Sequence, residues 1–186
     1  MSDRFLGSAR FARVLSTLDS IQCIDVGARG IPKDDLLNLA PAVELYGFEP
    51  DRSECERLNS QYSDRAAMPY RKIAYFPVAI GQRSENRTLF MTKHPGASSL
   101  LPPIAEAGRQ FLRDDYVTIE STSEIATVPL DEFLETNSLA NVAHAKIDVE
   151  GAELEVLQSA DRLLSSTLLS LRLEVSFLKT RTGQPC

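Results

Sequence analysis

Short apolar runs alternate with polar segments that carry apolar residues at helical spacing along most of the chain. The apolar runs predict β-strands, which cover residues 21–26, 43–50, 73–81, 87–93, 143–149 and 168–177. The intervening pattern predicts helices over 34–40, 51–62 and 150–166, and a strand end followed by a short helix over 127–137. Strands separated by helices form right-handed crossovers and parallel sheets. The pattern therefore predicts an α/β fold with a mostly parallel sheet and helices on both faces.

Three segments depart from this pattern. Pro77 falls inside the third predicted strand, where a proline is tolerated at an edge or a bulge. Residues 94–126 are rich in Pro, Ser and Gly and show no clear period, so we expect an irregular segment. Residues 1–20 carry Phe5 and later apolar residues at helical spacing. This spacing predicts an amphipathic helix packed on the domain that residues 21–186 form.

The bulk composition narrows the class of protein. The chain has 186 residues, of which 43% are hydrophobic and 25% are charged, as expected for one globular domain. A net charge of −6 argues against nucleic-acid binding, which needs a basic face. No apolar run approaches the roughly 18 residues of a membrane span, and the first residues lack the apolar core of a signal peptide. The three cysteines form no disulfide or zinc pattern, so we expect a cytoplasmic protein.

The ends of the predicted strands carry the candidate ligand-binding residues, because parallel sheets bind ligands beyond the carboxyl ends of their strands. Gly27 and Gly30 follow the first strand, and a glycine there lets a ligand approach the backbone closely. Glu49 ends the second strand, nineteen residues after Gly30. In nucleotide-binding folds, an acid at this distance from a glycine turn accepts hydrogen bonds from the ribose hydroxyls. Two alternatives remain open. The glycines could form a tight turn that binds no ligand, and Glu49, next to Pro50, could simply mark the end of the strand.

The glycine spacing favours one kind of nucleotide over another. "GARG" has Arg29 at the position where a dinucleotide fingerprint has its second glycine. Asp25, at the tip of the first strand, suits a cationic or zwitterionic ligand better than a pyrophosphate, although it could also cap a helix. S-adenosyl-L-methionine carries an ammonium, a sulfonium and a ribose. Asp25 and Glu49 therefore fit this cofactor better than NAD.

Six motifs occur in a characteristic order: "IDVGARG", "YGFEPD", "PVAIG", "GASSL", "TVPLDEFL" and "AKIDVEGAELEVLQSA". Together, from about Ile21 to Phe177, they resemble the FkbM family of S-adenosylmethionine-dependent methyltransferases. The resemblance implies a Rossmann-like methyltransferase fold and O-methylation of a hydroxyl on a small molecule or a glycan. The cofactor-binding residues that it implies are Asp25, Gly27, Ala28, Gly30, Glu49, Pro50, Ala79 and Ile80. It places Asp148 and Glu150 beside the transferred methyl group.

The methyl end of the site needs a group that accepts the proton of the acceptor hydroxyl. Asp148 and Glu150 are the candidate catalytic residues, although acids at a helix start can also be structural. We expect Lys146 to hold Asp148 ionised, and Glu174 to approach both acids if the last two strands are neighbours. These three acids suit magnesium, but no spacing demands it, and we expect no metal.

Two histidines are weaker candidates for the catalytic role. His144 lies at the opposite end of its predicted strand from the acids, which argues against a part in catalysis. His94 lies in the irregular segment, which could fold over the acceptor. Ser98 and Ser99 of the "GASSL" motif could bond a ligand or form a turn.

The C-terminal end departs from the methyltransferase pattern. Nine residues follow Phe177, which is too short for the two strands that usually close such sheets. We therefore expect a domain over 21–186 that lacks its closing strands, with an exposed last strand that a second copy could cover in a homodimer. A catalytically inactive cofactor-binding or interaction module is the alternative function. An NAD or nucleotide-sugar enzyme is disfavoured by Arg29.

Overall fold

A parallel five-stranded sheet forms the frame of the protein in a computed structural model that describes residues 8–30, 34–63, 68–111 and 113–185. Its strands are β1 (Ile21–Val26), β2 (Val43–Phe48), β3 (Lys72–Phe76), β7 (Val142–Ile147) and β8 (Ser170–Leu173). Their order across the sheet is β3-β2-β1-β7-β8, and every neighbouring pair is parallel. Because these strands are parallel, the carboxyl ends of β1, β2 and β7 lie at one edge of the sheet, and the strand order reverses at β1. This arrangement confirms the predicted α/β fold.

Helices cover both faces of the sheet. The α-helices are α1 (Ala9–Leu15), α2 (Arg52–Gln61), α3 (Ala105–Phe111), α4 (Leu130–Thr136), α5 (Glu153–Gln158) and α6 (Asp161–Ser165). Short 3₁₀ helices cover Asp34–Ala42, Pro95–Ala97 and Asp114–Tyr116. Among the described residues, no helix has the length and apolar character needed to cross a membrane.

A second sheet of three strands lies beside the first. It consists of β4 (Ala79–Ile80), β5 (Glu85–Thr92) and β6 (Ile119–Val128), in the order β4-β6-β5. β5 and β6 are antiparallel, whereas β4 and β6 are parallel. The prediction of one strand over 73–81 is therefore wrong. Pro77 has no backbone N–H to donate, and the chain leaves the first sheet at this residue and joins the second.

The prediction of an irregular segment over 94–126 is also wrong in part. The segment contains α3 and most of β6. Most residues of β6 are exposed or half-buried, so the strand has no apolar face that a period of two would reveal. Its position depends on pairing with β5, which sequence patterning does not show.

Hydrophobic clusters hold the helices against both faces of the first sheet. On one face, alternate residues of β1, β2 and β7 pack against α4, α5 and α6 around Leu130, Val156 and Leu163. On the other face, Cys55 and Leu58 of α2 pack against Tyr75 of β3. Buried apolar side chains on both faces are what a crossover-connected parallel sheet requires.

The N-terminal helix lies against the domain. Ser8 caps α1 by accepting a hydrogen bond from Phe11 N at 3.2 Å, and Leu15 is buried. Arg71 donates to the carbonyl oxygens of Ser16 at 3.2 Å and Leu18 at 2.9 Å. These bonds hold the carboxyl end of α1. Phe5, on which the sequence prediction partly rested, lies outside the described residues.

The last strand is shorter than predicted. β8 ends at Leu173, and Glu174 N still donates to Ile147 O at 3.0 Å. Beyond it the chain turns back and pairs with the segment before α3: Ile104 N donates to Thr180 O and Thr182 N donates to Pro102 O, both at 2.9 Å. The tail is therefore part of the packed domain.

Candidate active site

A cleft lies at the carboxyl ends of β1, β2 and β7, where the fold predicts a ligand site. It encloses about 610 Å³, part of which is open to solvent. Its lining is Val26, Gly27, Arg29, Phe48, Glu49, Pro50, Val78, Ala79, Ile80, Leu89, Pro95, Gly96, Ser98, Ser99, Leu100, Asp148, Val149 and Glu150. Seven of the ten predicted site residues line it: Gly27, Glu49, Pro50, Ala79, Ile80, Asp148 and Glu150.

The two glycines of the first turn are required for different reasons. Gly27 has φ +81°, and a Cβ there would lie 1.9 Å from the carbonyl oxygen of Asp148. Gly30 has φ +84° but open space around it, and its N–H donates to Glu54 Oε1 at 3.2 Å. Ala28 is buried under α2, outside the cleft lining. Gly27 thus brings the turn against the end of β7, whereas Gly30 serves the turn itself.

Glu49 is a buried acid at the end of β2. The side chain is 5% exposed, and its Oε1 accepts a hydrogen bond from Asp51 N at 2.8 Å. Burial raises the pKa of Glu49 to about 7, although that hydrogen bond and the nearby Arg29 act in the opposite direction. Arg29 lies 3.8 Å from Glu49 and donates to Asp51 Oδ2 at 3.1 Å. The carboxyl group is held in a fixed position with a cation close by.

Lys146 joins two acids across β1 and β7. Its Nζ lies 2.9 Å from Asp25 Oδ1 and 3.2 Å from Asp148 Oδ2. Burial opposes the charge on Lys146, but the two carboxylates outweigh it and hold the pKa of Lys146 above its usual value. The expected contact between Lys146 and Asp148 is therefore present. Asp25 lies outside the cleft lining, and its proposed contact with the cofactor stays a prediction.

Glu150 lies in a constrained loop after β7. It has φ +55°, which is uncommon for a residue other than glycine, and Ser99 Oγ donates to its carbonyl oxygen at 2.9 Å. Burial raises the pKa of Glu150 to about 7, while Arg181 lowers it and Asp148 raises it further. Glu153 Oε1 accepts from Val149 N at 3.1 Å and Gly151 N at 3.0 Å, which fixes the loop.

Three acids meet where β7 and β8 end. Carboxylate oxygens of Asp148, Glu150 and Glu174 lie within 4.8 Å of one another, so Glu174 does approach the other two. Oxygen ligands suit magnesium. An acidic cluster alone does not define a metal site, and the expectation of a reaction without metal stays a prediction.

Ser98 and Ser99 are part of the cleft lining, whereas His94 and His144 are not. His94 stacks on Tyr116 with ring centroids 4.2 Å apart, and it is not part of the cleft lining, although Pro95 and Gly96 are. His144 Nδ1 lies 3.1 Å from Ser170 Oγ, and burial lowers its pKa. Ser99 also accepts from Leu101 N at 3.0 Å, so its hydroxyl serves the loop.

Sequence reasoning missed Arg181 and Glu153. Arg181 is 1% exposed, and its Nη2 donates to Ala97 O at 2.6 Å and lies 3.5 Å from Glu150 Oε2. No local pattern marks an arginine in a polar tail as buried. Glu153 could have been found, since an acid near a helix start often accepts backbone N–H groups.

These features define an α/β protein of the Rossmann-like class, with a ligand cleft at the switch point of its sheet. More narrowly, the chain belongs to the methyltransferase FkbM domain family, whose domain matches residues 25–184. It is also similar to the crystal structure of methyltransferase FkbM from Methylobacillus flagellatus KT, with 18% identity and a TM-score of 0.47. The match covers 81% of this chain and 34% of that one, so the chain spans about a third of its length. No curated protein matches the sequence significantly.

Proposed function

We propose that this methyltransferase uses S-adenosyl-L-methionine to methylate a hydroxyl group of a small molecule or a glycan. One observation carries the proposal. Buried Glu49, directly after β2, and the pair Asp148 and Glu150, after β7, line one cleft on the two sides of the Gly27 turn. This arrangement supports a cofactor that binds with its sugar against Glu49 and its methyl group toward Asp148 and Glu150.

The lining of the cleft fits the parts of this cofactor. Two carboxylate oxygens of Glu49 suit the two vicinal hydroxyls of a ribose. Ala79 and Ile80 supply an apolar wall that could flank adenine, and Pro50 follows Glu49 in the lining. We propose that Asp25 contributes through Lys146, and that Ala28 and Gly30 contribute by shaping the turn.

The chemistry that the cofactor supplies when bound is a methyl group on a positively charged sulfur. The chain's own residues must place the acceptor oxygen about 3–3.5 Å from that carbon and remove its proton. We assign the role of the general base, which accepts this proton, to Glu150. A base works best when its pKa is near the operating pH, and the pKa of Glu150 is about 7. Asp148, fixed by Lys146, orients the acceptor hydroxyl.

Calorimetric titration with S-adenosylhomocysteine tests the cofactor. We expect binding to the native chain, and Glu49→Ala to weaken it by about 5- to 150-fold, or roughly 1–3 kcal/mol, because buried polar groups lose their partner. Glu56→Ala, on the exposed side of α2, is the matched control and should bind normally. Absence of heat with the native chain, or tighter binding of NADH or ATP, would refute the proposal.

Transfer of a labelled methyl group to a panel of sugars and small alcohols tests the reaction. We expect Asp148→Asn to leave the affinity for S-adenosylhomocysteine unchanged and to lower turnover. Equal turnover would make Asp148 structural. Label found on nitrogen or carbon of the acceptors would overturn the assignment to O-methylation.

A catalytically inactive cofactor-binding or interaction module is the second candidate. The observation that favours it is Arg29, which lines the cleft and pairs with Glu49 and Asp51. A protein side chain thus already occupies part of the polar wall. Binding of S-adenosylhomocysteine without transfer to any acceptor in the panel would favour this candidate.

The proposal includes a cytoplasmic setting and a homodimer. Cys23 and Cys55 are buried free thiols, as a reducing compartment favours. The homodimer rests on the outer edge of β8, which lies at the end of the five-strand order.

A further inference from the structure

Arg29 is a charged side chain of the cleft lining that lies beside two acids. It occurs between Gly27 and Gly30, at the position where a dinucleotide fingerprint has its second glycine. Its Nη1 lies 3.8 Å from Glu49 Oε1, and its Nη2 donates to Asp51 Oδ2 at 3.1 Å. The turn therefore carries a cation next to the acid that is proposed to hold the sugar.

Asp51 fixes the position of this cation. Its Oδ1 caps α2, accepting from Ser53 N at 3.1 Å, from Ser53 Oγ at 2.7 Å and from Glu54 N at 3.3 Å. Its Oδ2 accepts from Arg29. The two oxygens of one carboxylate thus join the start of the helix to the guanidinium, which is held close to Glu49.

The carboxyl group of Glu49 uses one oxygen within the protein. Oε1 accepts from Asp51 N at 2.8 Å, and within the described ranges no hydrogen bond reaches Oε2. An ionised carboxylate only accepts hydrogen bonds, whereas a protonated carboxyl carries a donor O–H in place of one acceptor. Two donating sugar hydroxyls therefore suit the ionised form of Glu49.

The surroundings of Glu49 mostly favour its protonated form. Its side chain is 5% exposed, and burial raises its pKa, as do the acids Asp51 and Glu54. The hydrogen bond from Asp51 N and the charge of Arg29 lower the pKa. Burial also raises the pKa of the neighbouring Cys55 thiol, which is therefore neutral near pH 7. Among the charged groups that face Glu49 in the described part of the chain, Arg29 is the cation.

We propose that Arg29 is a positioning residue that favours the ionised form of Glu49 and so lets Glu49 accept hydrogen bonds from the sugar hydroxyls. This role rests on the proposed function, in which Glu49 holds the ribose of the cofactor. The effect of Arg29 on affinity passes through Glu49. It is therefore largest in the pH range where Glu49 titrates, and it disappears where Glu49 is fully ionised.

The size of the effect follows from the ionised fraction of Glu49. With a pKa of about 7, about half of the native molecules carry an ionised Glu49 at pH 7. We expect Arg29→Met to raise this pKa by about one unit, so that about one tenth are ionised at pH 7. Because apparent affinity scales with the competent fraction, binding should weaken about fivefold. At pH 9 Glu49 is ionised in both proteins, and their affinities should agree.

Calorimetric titration with S-adenosylhomocysteine between pH 6 and pH 9 tests this dependence. We expect Arg29→Met to bind about fivefold more weakly than the native chain at pH 7 and equally at pH 9, whereas Arg29→Lys keeps the charge and should follow the native curve closely. The matched control is Arg52→Met, which removes an exposed arginine of α2 and should also follow the native curve. Tighter binding by Arg29→Met, equal weakening at every pH, or no change at all would overturn the proposal.

Glu49→Gln shows whether Arg29 acts through Glu49, because glutamine does not titrate. Arg29→Met should weaken binding at pH 7 in the native background and leave it unchanged in the Glu49→Gln background. A loss that persists in that background would mean that Arg29 contacts the cofactor itself, which would refute the proposal. Thermal unfolding should show that each variant is folded, since the Arg29 side chain is 28% exposed.

A measurement without ligand separates this role from the proposed function. In carbon-13 NMR titrations of the unliganded chain, Glu49 should titrate at higher pH in Arg29→Met than in the native protein, and an unchanged midpoint would refute the role of Arg29. If the native chain binds S-adenosylhomocysteine and Glu49→Ala weakens binding while Arg29→Met does not, the role of Arg29 alone fails. If the native chain shows no heat at any pH, the proposed function fails, and the part of Arg29 in sugar binding fails with it.

Discussion

The guanidinium of Arg181 lies 3.5 Å from Oε2 of Glu150, thirty-one residues earlier in the chain. The same guanidinium group donates to Ala97 O at 2.6 Å and to Tyr116 O at 3.3 Å. One buried side chain thus joins the C-terminal tail to the proposed base and to a loop beside the cleft. Since burial of a cation is costly unless it is paired, these contacts also fix the tail on the domain.

We expect Arg181→Met to raise the pKa of Glu150 by about one unit or more, since an opposite charge nearby favours the ionised carboxylate. Carbon-13 NMR titration of labelled glutamate carboxyls measures this directly. The acidic limb of the pH–rate profile should move to higher pH in parallel. Arg181→Lys is the control, because it keeps the charge and should move the titration less. An unchanged titration in Arg181→Met would show that the pair does not act on Glu150.

The raised pKa of Glu49 predicts how stability depends on pH. The folded-state pKa is about 7 and the ordinary value is 4.5, so the folded protein retains this proton longer than the unfolded chain. The contribution of the protonated Glu49 to the free energy of unfolding is fully present below pH 4.5 and is lost as the pH rises through about 7. Its size is about 3 kcal/mol at most.

Glu49→Gln tests this dependence, because glutamine keeps an oxygen that accepts from Asp51 N. Urea unfolding between pH 4 and pH 8 should show the native protein losing stability relative to the variant as the pH rises. Glu56→Gln on the surface of α2 should follow the native curve. Parallel curves for the native protein and Glu49→Gln would contradict the raised pKa.

The ion pair between Lys146 and Asp25 predicts that substitutions at these two residues have strongly coupled effects on stability. Lys146→Met leaves the buried Asp25 without its cation and should lower the free energy of unfolding by about 3–5 kcal/mol. Lys146→Met/Asp25→Asn should lose less than the sum of the two single variants, because the second change removes the stranded charge. A double-mutant cycle by urea unfolding measures the coupling. Simple additivity would mean that the two side chains act independently.

Alanine substitutions at Gly27 and Gly30 can be compared directly, because both glycines have a positive φ. Gly30→Ala should lower Tm by about 2–8 °C, because a positive φ costs about 1–2 kcal/mol for alanine. Gly27→Ala has the same backbone cost and also a Cβ 1.9 Å from the Asp148 carbonyl oxygen, so its loss should be clearly larger. Calorimetry compares the two. Equal shifts would show that the turn relaxes away from β7.

Much of the fold followed from sequence patterning, but the second sheet did not. β1 matched its predicted bounds, because an apolar run between a polar segment and a glycine turn is a local signal. Pro77 was a visible interruption, yet patterning could not show that the chain changes sheets there. β6 is mostly exposed and exists through its pairing with β5. Pairing between distant segments leaves no period in either of them.

The sequence by itself determined the family, the chain order of the strands of the first sheet, and the candidate residues at the strand ends. Strand period, glycine turns and helix starts are local features, because each can be recognised within a short stretch of sequence. Only the tertiary structure decided which charges meet: Lys146 with Asp25 and Asp148, and Arg181 with Glu150. Burial and ion pairing depend on distances between residues far apart in the chain, and these distances are set when the sheet and tail pack together.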